Sequence, residues 1–320
     1  MASRNDPAAD SSDREIVTTR AFAAPRELVW RAWTEPAHLA QWWGPNGFTS
    51  TIQEMDVRPG GVWRLVMHGP DGVDYKNESI YGEVIKPERL TYLHASPKFE
   101  ATVTFAEQGG QTVITLRMRF DTASERNRVV KKHGAIEGAI QTFARLGEHL
   151  GAMEEESQRY FVISRVFDAP RDLVWKAWTD PRQMARWWGP SNFTNSACEM
   201  DVRPGGAYRI VMRSPEGVEY PVKGIFLEVA RPERLVMTLD TSGHPAEWHD
   251  LVNPNRPKGA ANSSLEMLQT TTFEELGGKT RLTVRTRLES AAIRDAMLRM
   301  GMTEGWSQSL DRLAAHLAKA

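Results

Sequence analysis

The chain has 320 residues, 41% hydrophobic and 25% charged, with a net charge of −1. That balance suits a soluble globular protein with room for two cores, and it excludes a global attraction to nucleic acid or to an anionic membrane. The single cysteine, Cys198, rules out an intramolecular disulfide and any multi-cysteine metal site. No stretch approaches the ~18 apolar residues of a membrane span, and the opening MASRNDPAADSSDRE has no hydrophobic signal core, so a cytoplasmic address is expected.

Residues 1–12 are polar and are expected to form a disordered tail. EIVTTRAF (15–22) is rich in β-branched residues and reads as a strand, stopped by Ala24-Pro25. Pro25 suits the first turn of a helix, and Leu28, Val29, Ala32 and Trp33 carry helical spacing as far as Pro36. A second short helix runs from Pro36 to Trp42 and ends at Gly44-Pro45. The helix pair carries Trp and Leu where a DNA reader needs a basic face, so no nucleic-acid partner is expected.

Six strands follow, at 48–57, 62–68, 73–84, 89–95, 98–107 and 112–120, separated by Pro-Gly-Gly, Gly-Pro-Asp-Gly, Lys-Pro-Glu and Gly-Gly. Turn signals at such short spacing mark an antiparallel meander. In the 62–68 strand Trp63, Leu65 and Met67 share one face and Arg64 and His68 the other, so one side is packed and the other wet. Residues 122–150 read as one long helix, with Ala135, Ala139, Phe143, Leu146 and Leu150 near a 3.6-residue period.

At Pro170 the text begins again. Residues 170–206 match 25–61 at 24 of 37 positions with a constant offset of 145, which signals two copies of one folding unit. The strand at 270–288 matches 102–120 at an offset of 168, so the second copy has gained 23 residues near 241–265. The copies span 13–153 and 158–320. The linker between them, GAMEEESQ (151–158), is too short to let them separate far, and they are expected to pack as an intramolecular pseudo-dimer.

Each copy is therefore α+β: a curved seven-stranded antiparallel sheet, two short helices, and a long C-terminal helix that the sheet wraps. The concave face exceeds what one helix can fill, which leaves a cavity between helix and sheet. The motifs AP-R-x-LVW-x-AWT, WWGP, EMDVRPGG, RPERL, TTTFEELGGKT and GMTEGWSQSLDRLAAHL resemble those of tandem SRPBCC (START-like, helix-grip) domains. More narrowly, the chain is similar to bacterial homologues of the C-terminal domain of the heat-shock protein 90 ATPase activator. The resemblance covers nearly all of both copies. It implies a hydrophobic or aromatic small molecule bound in the cavity. Alternatives are a cyclase- or hydrolase-like enzyme using the same cavity, or a stress-related co-chaperone. Against a chaperone partner, the activator's separate chaperone-stimulating N-terminal domain has no counterpart in this sequence.

The residues expected to line the first cavity are Trp63, Leu65, Met67, Met118, Ala139 and Phe143. In the second they are Trp188, Tyr208, Ile210, Met212, Trp248, Met302, Trp306 and Leu310. The copies differ on the terminal helix, where Trp306 replaces Ala139 and Leu310 replaces Phe143, so the two cavities take different ligands or one has become structural. No cofactor and no metal site is expected, and no catalytic residue is assigned. His244 and His249 of the insertion and Glu304 of the terminal helix are the candidates for acid–base work. The insertion reads otherwise as a lid with Trp248 packed down and its histidines hydrogen-bonded or solvated. Glu137 and Glu304 either face the cavity or are solvated helix charges. Of Trp42/Trp43 and Trp187/Trp188, at least one in each pair is expected to be structural. Arg58 and Arg203 are expected to pair with Asp56 and Asp201, and Cys198 to be an inert buried thiol.

Overall fold

The computed structural model of the chain describes residues 11–253, 256–257, 260–262, 265 and 267–319. The expected disordered tail lies outside the described residues except for Ser11 and Ser12, which open a short 3-10 turn, Ser11–Arg14. The described chain divides into two compact units, one through Glu154 and one from Glu155 onward. Among the described residues no helix is long and apolar enough to cross a membrane.

The first unit runs β1 (Glu15–Phe22), α1 (Arg26–Thr34), α2 (Pro36–Trp42), then the meander β2 (Thr49–Met55), β3 (Val62–His68), β4 (Asp74–Ile85), β5 (Arg89–His94), β6 (Phe99–Gln108) and β7 (Gln111–Arg119). Its strands order as β1-β7-β6-β5-β4-β3-β2, all antiparallel, so β1 closes against the last strand and the meander needs no crossover. The second unit repeats this with β8 (Tyr160–Phe167), α5 (Arg171–Thr179), α6 (Pro181–Trp187), β9 (Thr194–Met200), β10 (Ala207–Arg213), β11 (Glu219–Ala230), β12 (Arg234–Leu239), β13 (Met267–Leu276) and β14 (Lys279–Arg287), in the order β8-β14-β13-β12-β11-β10-β9. Each unit is thus the helix-grip arrangement, α+β with one seven-stranded antiparallel sheet.

The Pro-Gly-Gly turns show why the sequence repeats them. A Cβ on Gly61 would lie 2.0 Å from the Asp56 carbonyl oxygen, and one on Gly206 1.9 Å from that of Asp201, so only glycine closes the β2–β3 and β9–β10 connections. Beside these turns Arg58 pairs with Asp56 at 2.7 Å and Arg203 with Asp201 at 2.9 Å, exposed as expected.

The terminal helix is not continuous. In the first unit it divides into α3 (Ala123–His133) and α4 (Ala135–Ser157), because Gly134 takes the left-handed conformation at φ 57° and caps α3 by donating to the Val130 carbonyl. In the second unit Gly301, at φ 89°, separates α8 (Ala291–Arg299) from α9 (Met302–Leu317). Thr122 and Ser290 cap the first halves by accepting from the amides of Glu125 and Ile293. The segment expected as a linker is helical through Ser157.

The first core gathers Trp30 and Trp33 of α1, Phe105 of β6, Ile114 of β7, and Phe143, Leu146 and Leu150 of α4. The insertion of the second unit supplies α7 (Ala246–Val252) and a separate cluster in which Val252 and Leu265 join Phe161, Met267, Leu288 and Ile293.

Candidate functional site

The first unit encloses a cavity of about 230 Å³ between the concave face of its sheet and the broken terminal helix. Strand alternation puts Trp63, Leu65 and Met67 of β3 on its floor, with Tyr92 and His94 of β5 and Leu116 and Met118 of β7 beside them. Val129 of α3 and Ala139, Thr142 and Phe143 of α4 form the facing wall. All six residues expected to line the first cavity do so.

The turn after α2 frames one side. Trp42 is fully buried and donates its indole N–H to the Ala32 carbonyl at 3.0 Å, fastening α2 to α1; Trp187 does the same to Ala177 at 2.9 Å. Trp43 instead lines the cavity, edge-to-face with Trp63 at 4.9 Å. In the first unit the adjacent tryptophans divide the work, one fastening the helices and one lining the cavity, whereas Trp187 and Trp188 are both buried in the second core. Sequence reading missed the residue that holds this turn. Arg145 of α4 donates to the Gly44 and Pro45 carbonyls at 2.8 and 3.0 Å and to Gln41, and Arg312 of α9 grips Gly189 and Pro190 in the same way. The retention of an arginine at matching positions of both copies was the available signal.

In the second unit a tryptophan stands at the corresponding place. Trp306, where the first unit has Ala139, stacks parallel to Trp178 at 6.4 Å and meets Trp188 edge-on at 5.3 Å. Trp188, Tyr208, Ile210 and Leu310 are buried members of the second core, and Met212 and Trp306 pack against it. Trp248 and Met302 pack against the cluster that the insertion completes. The eight residues expected to line a second hollow thus lie in or against the packed clusters of the second unit. The Trp306 indole occupies the place beside which the first unit keeps its cavity, and Val252 and Leu265 of the insertion join the neighbouring cluster.

The three acid–base candidates are not brought together. His244 and His249 are buried at 6% and 3% exposure. Among the described residues neither ring nitrogen of His244 has a hydrogen-bond partner, and the ring packs 4.4 Å from Trp248 and 5.4 Å from Tyr220. Burial, with help from nearby His249, pulls the His244 pKa down to about 4, so the ring is neutral at physiological pH. Neither the hydrogen-bonded nor the solvated lid histidine of the sequence reading describes it. Glu304 is exposed and accepts from the Gln308 amide at 2.9 Å, as Glu137 does from Gln141 at 3.1 Å, so both are solvated helix charges. Among the described residues no group of three or more His, Cys, Asp or Glu is placed to hold a metal ion. The Cys198 thiol is half-buried, and burial pushes its pKa up to about 11, which keeps it protonated and unreactive.

Polar residues of the first cavity also escaped the sequence reading. Asn77, Ser79 and His94 line it, whereas the second copy has Val222, Gly224 and Leu239 at the matching positions. Comparing the two copies position by position along β4 and β5 finds them. Burial holds the His94 pKa below its ordinary value, against the opposing pull of the Pro97 carbonyl.

Solved structures similar to single units of the chain include protein NE0264 from Nitrosomonas europaea, 27% identical, covering 51% of this chain and 96% of its own, with a TM-score of 0.42. Protein Ms6760 from Mycobacterium smegmatis is 28% identical, covering 47% of this chain and 98% of its own at 0.42. An AHSA1-like protein from Aeromonas hydrophila is 21% identical, covering 50% and 93% at 0.35. Among curated proteins nothing matches the chain. The family model described as Activator of Hsp90 ATPase homolog 1-like protein matches residues 23–151 and again 168–318, nearly the whole of both units, and the chain belongs to that family.

Proposed function

We propose that the first unit binds a small hydrophobic or aromatic molecule in the cavity between its sheet and α4, as a carrier or sensor, and that the second unit serves as its structural companion. The observation that carries this reading is the exchange at one position of the terminal helix. Ala139 lines a cavity of about 230 Å³, and Trp306 stands at the same place in the second copy, packed on Trp178 and Trp188. An apolar cavity of about 150 Å³ takes up benzene, so this one suits a molecule of one or two rings. Its walls are mostly aromatic and aliphatic with a few placed polar groups, the usual composition of a ligand pocket.

Thermal shift of the full chain against a panel of one- and two-ring aromatics and short lipids tests the proposal. A ligand at about 100 times its Kd stabilises by ~2.7 kcal/mol, a rise of several degrees for the unit that binds it. The wild type is expected to respond to a subset of the aromatics. Ala139→Trp, which imports the second copy's side chain, is expected to abolish the response while raising the ligand-free Tm or leaving it unchanged. A panel without effect on the wild type, or equal shifts in Ala139→Trp, contradicts the reading.

A further inference from the structure

Polar side chains on the concave face of the first sheet are gathered in one place. The antiparallel register sets Trp63 of β3 opposite Ser79 of β4, and Ser79 opposite His94 of β5, so three polar groups stand in a row across three strands. All three line the cavity, and their exposures are 2%, 3% and 7%. The row is not self-sufficient. Among the described residues the Trp63 indole N–H has no hydrogen-bond partner, and a buried donor left without one costs about 1–3 kcal/mol. His94 is held firmly beside it, its Nδ1 2.8 Å from the Pro97 carbonyl oxygen, its Nε2 3.1 Å from Asn77 Oδ1, and its ring stacked on Phe99 at 4.6 Å.

Packing alone does not call for this row. The second unit has Tyr208, Gly224 and Leu239 at the same positions, and there the tyrosine hydroxyl is used internally, donating to the Thr238 carbonyl at 2.7 Å. The unit whose cavity is open keeps the polar row, and the unit whose hollow is filled has lost it.

We propose that Trp63, Ser79 and His94 form a recognition edge for a neutral aromatic molecule carrying a hydrogen-bond-accepting oxygen, a phenol or an aryl ketone, with that oxygen accepting from the Trp63 indole N–H. The inference rests on the binding role proposed above and adds the chemical class of the ligand. Ser79 flanks the same oxygen and favours a polar substituent on the ring edge that faces the sheet, while His94, both nitrogens held by Pro97 and Asn77, walls the edge beside it. Charge is selected against. Among the described residues no arginine or lysine lines the cavity, the lining His133 is held toward its neutral form by burial and by nearby Lys132 and Arg128, and Arg145 already donates to backbone carbonyls. Burial also disfavours an imidazolium at His94. An aromatic carboxylate would enter this site without a counter-charge, which is costly in an apolar surrounding.

Binding of 2-naphthol, naphthalene and 2-naphthoate to the full chain, followed by the indole N–H resonances in proton–nitrogen NMR, tests the edge. Expected is about tenfold tighter binding of 2-naphthol than of naphthalene, the scale of one orphaned donor gaining a partner. The Trp63 N–H resonance moves downfield with 2-naphthol only, and naphthoate binds more weakly than 2-naphthol. In Trp63→Phe the ratio of naphthol to naphthalene affinity falls to about twofold or less. Should that variant not fold, the wild-type Trp63 resonance and the same ratio in Ser79→Ala decide. Equal affinities for naphthol and naphthalene, an unmoved Trp63 resonance, or tighter binding of naphthoate overturns the recognition edge and leaves the cavity's binding role standing. Failure of all three compounds to bind overturns that role and the edge with it.

Discussion

His244 is a buried imidazole with no partner for either nitrogen among the described residues, and its neutral form is the only one the second unit tolerates well. Its folded-state pKa of about 4 lies below the unfolded value of 6.5. Above pH 6.5 the ring is neutral in both states and its contribution to stability is complete. As pH falls from 6.5 to 4 the unfolded chain takes up the proton first, and about 3 kcal/mol is lost; below 4 the loss stops growing. His244→Phe is therefore expected to keep full stability at pH 7.5 and to lose about 2.5 kcal/mol less than wild type on going to pH 4.5. Denaturation of the full chain followed at the Met267 methyl resonance reads the second unit, and identical pH slopes for the two proteins rule this out. His94 and His249 are also shifted down by burial, so their share of the acid loss stays in both proteins. The sequence placed His244 in a polar insertion and offered no reason to bury it. Its burial follows from Trp248, which packs against the cluster around Val252, and from Tyr220 of β11, a strand that sequence spacing does not relate to the insertion.

The terminal helix is the element on which the two units diverge. Trp306→Ala removes the indole that fills the second hollow. Because Trp306 is only half-buried, the expected cost is about 2–4 kcal/mol, at or below the usual range for a core tryptophan. The same change is expected to give the second unit an aromatic-binding cavity, seen as a second equivalent of 2-naphthol taken up by the full chain. A large loss of stability without a new site would mean that the surroundings collapse into the gap. Strand positions were legible because β-branched alternation is bounded by Pro-Gly-Gly, Gly-Gly and Pro-Glu turns, and the β3 boundaries, Val62–His68, coincide with the reading from sequence. The break at Gly134 was not. Helical periodicity runs through it, and a left-handed glycine is invisible to a pattern that counts only apolar spacing. Alternation likewise tells that Trp63, Leu65 and Met67 face inward, but not whether the space before them is filled. That depends on Ala139 and on residues of β4 and β5 far from them in the chain.

Across the whole molecule one fold occurs twice, with Ala139 beside a cavity in the first unit and Trp306 packed on two tryptophans in the second. The repeat, the seven-stranded sheets and the Ala139/Trp306 exchange could all be read from the sequence; which copy is open could not, because the insertion and Trp306 act together. Methionines report on both places at once: Met67 and Met118 line the first cavity, while Met212 and Met302 pack in the second unit. The most direct measurement is therefore a titration of the full chain, carrying methyl-labelled methionine, with 2-naphthol under NMR observation. Met67 and Met118 are expected to shift together and saturate at one equivalent while Met212 and Met302 hold still. Resonances that never move, or that move equally in both units, would contradict a single open cavity.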